Sequence, residues 1–393
     1  MRTNRLSKLS TIILSILTII FISSIIIIIC TPKTNTVYVP ESVLENNTLT
    51  EGGETASPET PSTTITDTTP QEARFLAPFI DMASWVDPSS KYSLNGTPDL
   101  GVIYDEIGIE NYFLGFIRPD DTNPLTADGT IRWGWGGFYG LSEKGNDGYQ
   151  YEGIKKSIQN IRDRGGDAIV SVGGQLGKAP WTVTQNITKL KEMYIEIIEA
   201  YDLKVIDLDI EEINQGYEQN VANAKAIKRA QDATGVEVTL TIPIMPYGYT
   251  STQKNLLRAY IGNGVNIKII NNMTMCYGAE VNPGEDFAEA SIRATDNSCK
   301  QVQAIYKEYG TELTEDKVYK MLGATVDIGY ENSANPVFTA DMTRRVAEYA
   351  NEKNLGMFSY WCVNRDAMFQ PNSAITTQYE HFDASKAYLG VMK

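Results

Sequence analysis

Histidine is almost missing from this chain: His381, near the C-terminus, is the single one in 393 residues. That removes most routes to a histidine-ligated metal and to a serine–histidine–aspartate nucleophile. Cysteine is scarce too. Four are present, one of them (Cys30) inside an apolar run, so an odd three remain for the folded part and a disulfide scaffold is not expected. Clusters of lysine and arginine are lacking, and a formal charge of −15 opposes a phosphate-rich partner, which sets nucleic acid aside. No glycine-rich phosphate fingerprint follows the first strand candidate. Neither a metal nor a cofactor is expected, and carboxylates must carry whatever chemistry the chain performs.

What is present divides the chain in three. Arg2, Arg5 and Lys8 precede an uncharged run of isoleucine, leucine and phenylalanine over 9–30. As a helix it would reach roughly 33 Å, enough to cross a bilayer. Basic residues before it place the N-terminus in the cytoplasm and everything after it outside. Residues 1–30 therefore read as a membrane anchor, with cleavage after Ser24, and so secretion, as the alternative. Residues 31–74 are rich in threonine, proline, serine and glutamate, a composition that cannot bury a core and reads as a flexible linker.

From residue 75 onward, short apolar strands alternate with amphipathic helices. Strand candidates lie at 77–82, 111–117, 167–174, 204–211, 236–243, 269–278, 318–326 and 355–363, with helical patterns such as YEGIKKSIQNIRDRG and ITKLKEMYIEIIEAY between them. Alternating strands and helices imply parallel strands joined by right-handed crossovers. Eight such units over 75–393 fit an α/β fold of the (β/α)8 TIM-barrel type, with catalytic groups at the C-terminal strand ends. An open doubly wound sheet would use the same pattern.

The fourth strand candidate holds the chemistry. In VIDLDIEE, Ile206, Leu208 and Ile210 alternate with Asp207, Asp209 and Glu211. Period two puts the apolar set against the helices and the three acids inside the barrel, Glu211 nearest the mouth. Neighbouring acids on one strand face lie about 6.6 Å apart and repel by about 2.5 kcal/mol at an effective dielectric near 20. Such a group shares protons, and one member stays neutral near neutral pH, the state a general acid needs. The competing reading has one acid cap a helix while the others meet lysine or arginine. A calcium loop fails, because no glycine stands at its sixth position.

Asp207-Leu-Asp209-Ile-Glu211 resembles the Asp-x-Asp-x-Glu core of glycoside hydrolase family 18, the chitinases and endo-β-N-acetylglucosaminidases. SVGG at 171–174, MTMCYG at 273–278 and FSYWCVNRD at 358–366 resemble that family's motifs on strands three, six and eight. The resemblance implies a retaining hydrolase of β-1,4-N-acetylglucosaminides in which the substrate's own acetamido oxygen is the nucleophile. Glu211 would be the general acid. Asp209 would orient the acetamido group, Asp207 would share a proton with Asp209, and Tyr277 would donate to the acetamido oxygen. Trp361 would floor the reacting sugar. An N-glycan-cutting endoglycosidase and a non-catalytic sugar-binding barrel are the alternatives, and a monomer is expected.

Further substrate contacts are assigned to Gly173, Gly174, Met275, Trp135 and Asp81. The glycines serve equally well to let chains approach closely. Trp133, Trp135 and Tyr139, in the loop IRWGWGGFYGL, are either sugar-stacking platforms or loop packing. Asp81 ends the first strand and could join the acid network; Asn364, Arg365 and Asp366 could touch sugar hydroxyls or cap a helix. Three departures from the family pattern stand out: Lys204-Val205 in place of Asp-Gly, Cys276 in place of Asp, and Glu212 where a small residue is common.

Overall fold

The computed structural model describes residues 75–145, 147–329, 337–367 and 381–391. The expected anchor and linker, residues 1–74, lie outside them. Among the described residues no helix is long and apolar enough to cross a membrane.

Eight parallel strands form the barrel: β1 (Phe79–Asp81), β2 (Asn111–Pro119), β3 (Asp167–Gly173), β4 (Val205–Asp209), β5 (Glu237–Pro243), β6 (Ile267–Met273), β7 (Leu322–Asp327) and β8 (Met357–Trp361). They neighbour one another in chain order from β1 to β8. The ring nearly closes through a broken strand. Phe75–Leu76 pairs with β8, and after Pro78, which has no N–H to donate, Phe79–Asp81 pairs with β2. Asn364, just past β8, joins the two ends again, accepting from the Asp81 N–H and donating to the Asp81 carbonyl.

Two features escape simple alternation. Between β1 and the first helix, Ser93–Leu94 and Thr97–Pro98 make a small antiparallel hairpin. Its turn is Asn95-Gly96, both at positive φ, the pairing a tight two-residue hairpin prefers. After β2, Trp133–Trp135 folds back antiparallel against Ile117–Pro119.

The interior is layered. Phe79, Phe113, Ile169, Ile269 and Met357 bury an apolar layer toward the N-terminal strand ends, with Val205 packed against it. Above it lies a polar belt spanning five strands. Ser171 and Thr239 each donate to Asp207 at 2.7 Å, Thr241 donates to the same carboxylate at 3.0 Å, Asn271 donates to Thr241, and Thr325 donates to Asn271. Outside the barrel, Ile206, Leu208 and Ile210 are fully buried in the larger core shared with the surrounding helices.

Candidate active site

Strand β4 and the turn after it set the acids. Asp207 is fully buried and both its oxygens accept hydroxyl donors, Ser171 on one and Thr239 with Thr241 on the other. Three hydroxyls stand in for lost water, yet burial still dominates and pushes its carboxyl up to about 6. Asp209, also buried, is hydrogen-bonded to Glu211, and burial together with the charges of Glu211 and Asp207 raises it well above the usual range. The Asp209 Oδ1 is buried with no hydrogen-bond partner in the protein. Glu211, half-buried at the mouth, is pushed up to about 7 by burial, with Glu212 and Asp327 adding repulsion against the pull of its bond to Asp209. Asp209 is thus hydrogen-bonded to Glu211, while Asp207, expected to share a proton with Asp209, accepts from three hydroxyls.

The glycines of SVGG have a packing reason. Gly173 sits at φ 119° and Gly174 at φ 87°, a region costly for other residues. A Cβ on Gly173 would lie 2.1 Å from the Asp209 carbonyl oxygen, and one on Gly174 would lie 2.9 Å from the Phe116 ring. Both glycines let β3 approach the acid strand and the aromatic floor.

Trp361 is half-buried at the end of β8 and stacks on Phe116, centroids 5.6 Å apart and planes at 22°. Phe79 lies below, 6.2 Å from Trp361 and 4.8 Å from Phe113, so an aromatic column rises from the barrel floor to its mouth. Tyr277 is buried and stacks on Phe287, centroids 6.3 Å apart and planes at 12°. Met275 is half-buried and Cys276 is exposed at positive φ, both on the loop after β6.

Several expected contacts fall elsewhere. Trp135 is fully buried; its indole N–H donates to Tyr201 at 2.8 Å and its ring packs edge-on against that tyrosine. It packs the loop to the barrel wall and offers no face to a sugar, which corrects the platform reading. Trp133 is likewise buried, and Tyr139 lies under the Arg132 guanidinium, 3.7 Å from the ring centroid. The Asp81 carboxylate accepts from the Ala83 and Ser84 N–H groups and the Ser84 hydroxyl, folding its own turn instead of entering the acid network. Asp366 holds the C-terminal helix Asp383–Leu389 by accepting from Ala384 and Ser385. Lys204 pairs with Asp167 at 2.9 Å, on the face opposite the mouth.

Two mouth residues are absent from the sequence-based set. Asp327 ends β7, is pushed up to about 6 by burial, and pairs with Arg365. It continues the inward alternation of Gly323 and Thr325, a signal of the same kind that exposed Asp207 and Asp209. Phe116 was hidden, because the β2–β3 register shifts between Leu114 and Ile117 and strict alternation would turn its ring outward.

A parallel eightfold barrel thus carries a hydrogen-bonded carboxylate pair and an aromatic stack toward its C-terminal mouth. In sequence the chain is similar to a probable bifunctional chitinase/lysozyme of Escherichia coli K12 (27% identity over 310 residues, 76% of this chain and 32% of that protein). It is equally similar to endochitinase 11 of Metarhizium anisopliae (27% over 310 residues, 76% of this chain, 54% of that protein). The chain thus spans about a third to a half of the length of these relatives. In fold it matches the catalytic domain of a hyperthermophilic chitinase from Pyrococcus furiosus, with TM-score 0.64 and 22% identity over 81% of this chain and 95% of that one. A GH18 chitinase from Pseudoalteromonas aurantia follows, with TM-score 0.50 and 12% identity over 81% and 99%. No family model matches the chain. The likeness to family 18 read from the motifs is therefore chitinase-like in sequence, and the TIM-barrel fold is shared with chitinase structures.

Proposed function

We propose that the chain hydrolyses β-1,4-linked N-acetylglucosaminides of the chitin type, with retention of configuration and with the substrate's acetamido group as nucleophile. The observation that carries this reading is the Asp209–Glu211 pair: two buried or half-buried carboxyls at the barrel mouth, hydrogen-bonded and both raised. Glu211, near 7, keeps a proton to donate to the leaving glycosidic oxygen at neutral pH. The buried Asp209 Oδ1 is an acceptor suited to an acetamido N–H, and an acceptor left unmet there is costly. Tyr277 would place its hydroxyl on the acetamido oxygen, and Trp361 over Phe116 would bed the apolar face of the sugar. Asp207, held by three hydroxyls, stays fixed beneath as a source of field on Asp209. Residues 1–30 would tether this unit outside the cell, or be removed on secretion, and the unit would act as a monomer.

The test is incubation of the chain with chitooligosaccharides and, separately, with a high-mannose glycopeptide, each beside Glu211→Gln. Cleavage of the chitooligosaccharide with a β-anomeric product, lost in the variant, is the expected result. Cleavage of the glycopeptide alone would assign an endo-β-N-acetylglucosaminidase, and binding without cleavage a sugar-binding barrel.

A further inference from the structure

The turn that carries Glu211 into the mouth is held by polar contacts, one of them the Gln253 amide donating to the Gln215 side chain at 2.6 Å. Glu212, directly after the acid, adopts φ 44°, a left-handed conformation that a non-glycine residue keeps only when its surroundings enforce it. Apolar packing does not enforce it, since Ile213 is 60% exposed and Glu212 is exposed. The Glu211 carboxyl does not cap the short 3-10 helix Glu212–Gln215 that it precedes. Within that helix the one buried residue is Asn214.

Every polar group of Asn214 is engaged. Its N–H donates to the Glu211 carbonyl at 2.8 Å. Its Oδ1 accepts from the Ala179 N–H at 2.8 Å and the Thr182 hydroxyl at 2.9 Å. Its Nδ2 reaches the Gly174 and Gly177 carbonyls at 3.4 Å. Its carbonyl accepts from the Trp181 indole and the Asn220 amide, both at 2.8 Å. The side chain thus binds the acid's turn to the segment after β3, and the main-chain carbonyl binds it to the helix Tyr217–Thr234.

We propose that Asn214 is a positioning residue for Glu211, fixing the turn so that the acid meets Asp209 at the mouth. The proposal rests on Glu211 being the proton donor. Loosening the turn misplaces the acid and admits water to it. Misplacement of about 1 Å costs about 100-fold in rate. Hydration removes part of the burial that raises Glu211, so its titration moves toward the ordinary carboxylate range. The charged groups acting on Glu211 are Asp209 on its own strand, Glu212 on its own turn, and Asp327 on β7 with its partner Arg365. None is touched by changing Asn214.

The experiment uses the full chain and chitotetraose, comparing the parent with Asn214→Ala, Trp181→Phe, Thr182→Val, Asn223→Ala and Glu211→Gln. Asn223 is a stability control: it is buried, bonds Tyr194 and Tyr260 between the helices, and has no bond to residues 211–215. Asn214→Ala is expected to lower kcat by about 10- to 100-fold with KM within about threefold, and to move the alkaline limb of the kcat/KM profile to lower pH. Trp181→Phe and Thr182→Val, each removing one donor, should do the same to a smaller degree and remain informative if Asn214→Ala does not fold. Asn223→Ala should lower the melting temperature and leave the limb in place. An unmoved limb and unchanged kcat in the Asn214, Trp181 and Thr182 variants would overturn the proposal, as would an equal shift in Asn223→Ala. Activity retained by Glu211→Gln would instead bring down the acid assignment itself.

Discussion

The two layers inside the barrel are built on the same strands and the same alternation, yet they spend free energy in opposite directions. The lower one, Phe79, Phe113, Ile169, Ile269 and Met357, removes apolar surface from water and stabilises the fold. The upper one holds Asp207, Asp209 and Asp327 out of water with raised carboxyls, which costs stability at neutral pH. The difference teaches that a barrel's foundation offsets its mouth. Carboxylates with raised affinity for protons can be held poised above a hydrophobic floor.

The comparison breaks most visibly at the mouth. Glu211→Gln should cut kcat by about 10²- to 10⁴-fold, the usual worth of a general acid, with little change in melting temperature; steady-state kinetics beside a thermal melt decides it. The lower layer should show the reverse. Ile169→Ala is expected to cost about 2–5 kcal/mol by denaturant titration, while kcat at temperatures where the variant is folded stays close to the parent.

A smaller effect ties stability to pH. Asp207 and Asp327, each raised to about 6, bind protons in the folded state that the unfolded chain has already released. Unfolding free energy therefore falls as pH rises from about 4 to about 6, the window between the ordinary and the raised carboxyl values. Asp207→Asn should flatten part of that slope in melts taken from pH 4 to 8. The same reasoning puts activity on a falling limb above about pH 7, as Glu211 loses the proton it must donate.

The smallest expected effect sharpens the boundary of the site. Trp135→Phe removes one buried hydrogen bond, to Tyr201, and should cost about 1 kcal/mol. KM for chitooligosaccharides should not change. A severalfold rise in KM would return Trp135 to the substrate.

Much of this was legible in the chain. Each of the eight strands overlaps a stretch read from apolar runs, with β2, β6 and β7 running one or two residues past the stretch, and the inward turn of Asp207 and Asp209 follows from period two along VIDLDIEE. Asp327 was equally readable, from LGATVD on β7, but a lone acid closing an apolar strand draws less notice than three in a row. Trp135 misled because glycine-flanked tryptophans in a loop look exposed; pairing with β2 made them a strand and buried the indoles. Phe116 depended on a register shift, which arises from the neighbouring strand and leaves no local mark.

By itself the sequence determined the alternation of strands and helices and the acids' common face, because periodicity and spacing are local properties of the chain. Tertiary structure alone decided that Asp207 is satisfied by hydroxyls from β3 and β5, that Asp209 turns to Glu211, and that Asn214 ties the turn to the next loop. Those are contacts between residues far apart in sequence, and such contacts exist only once the ring of strands has brought them together.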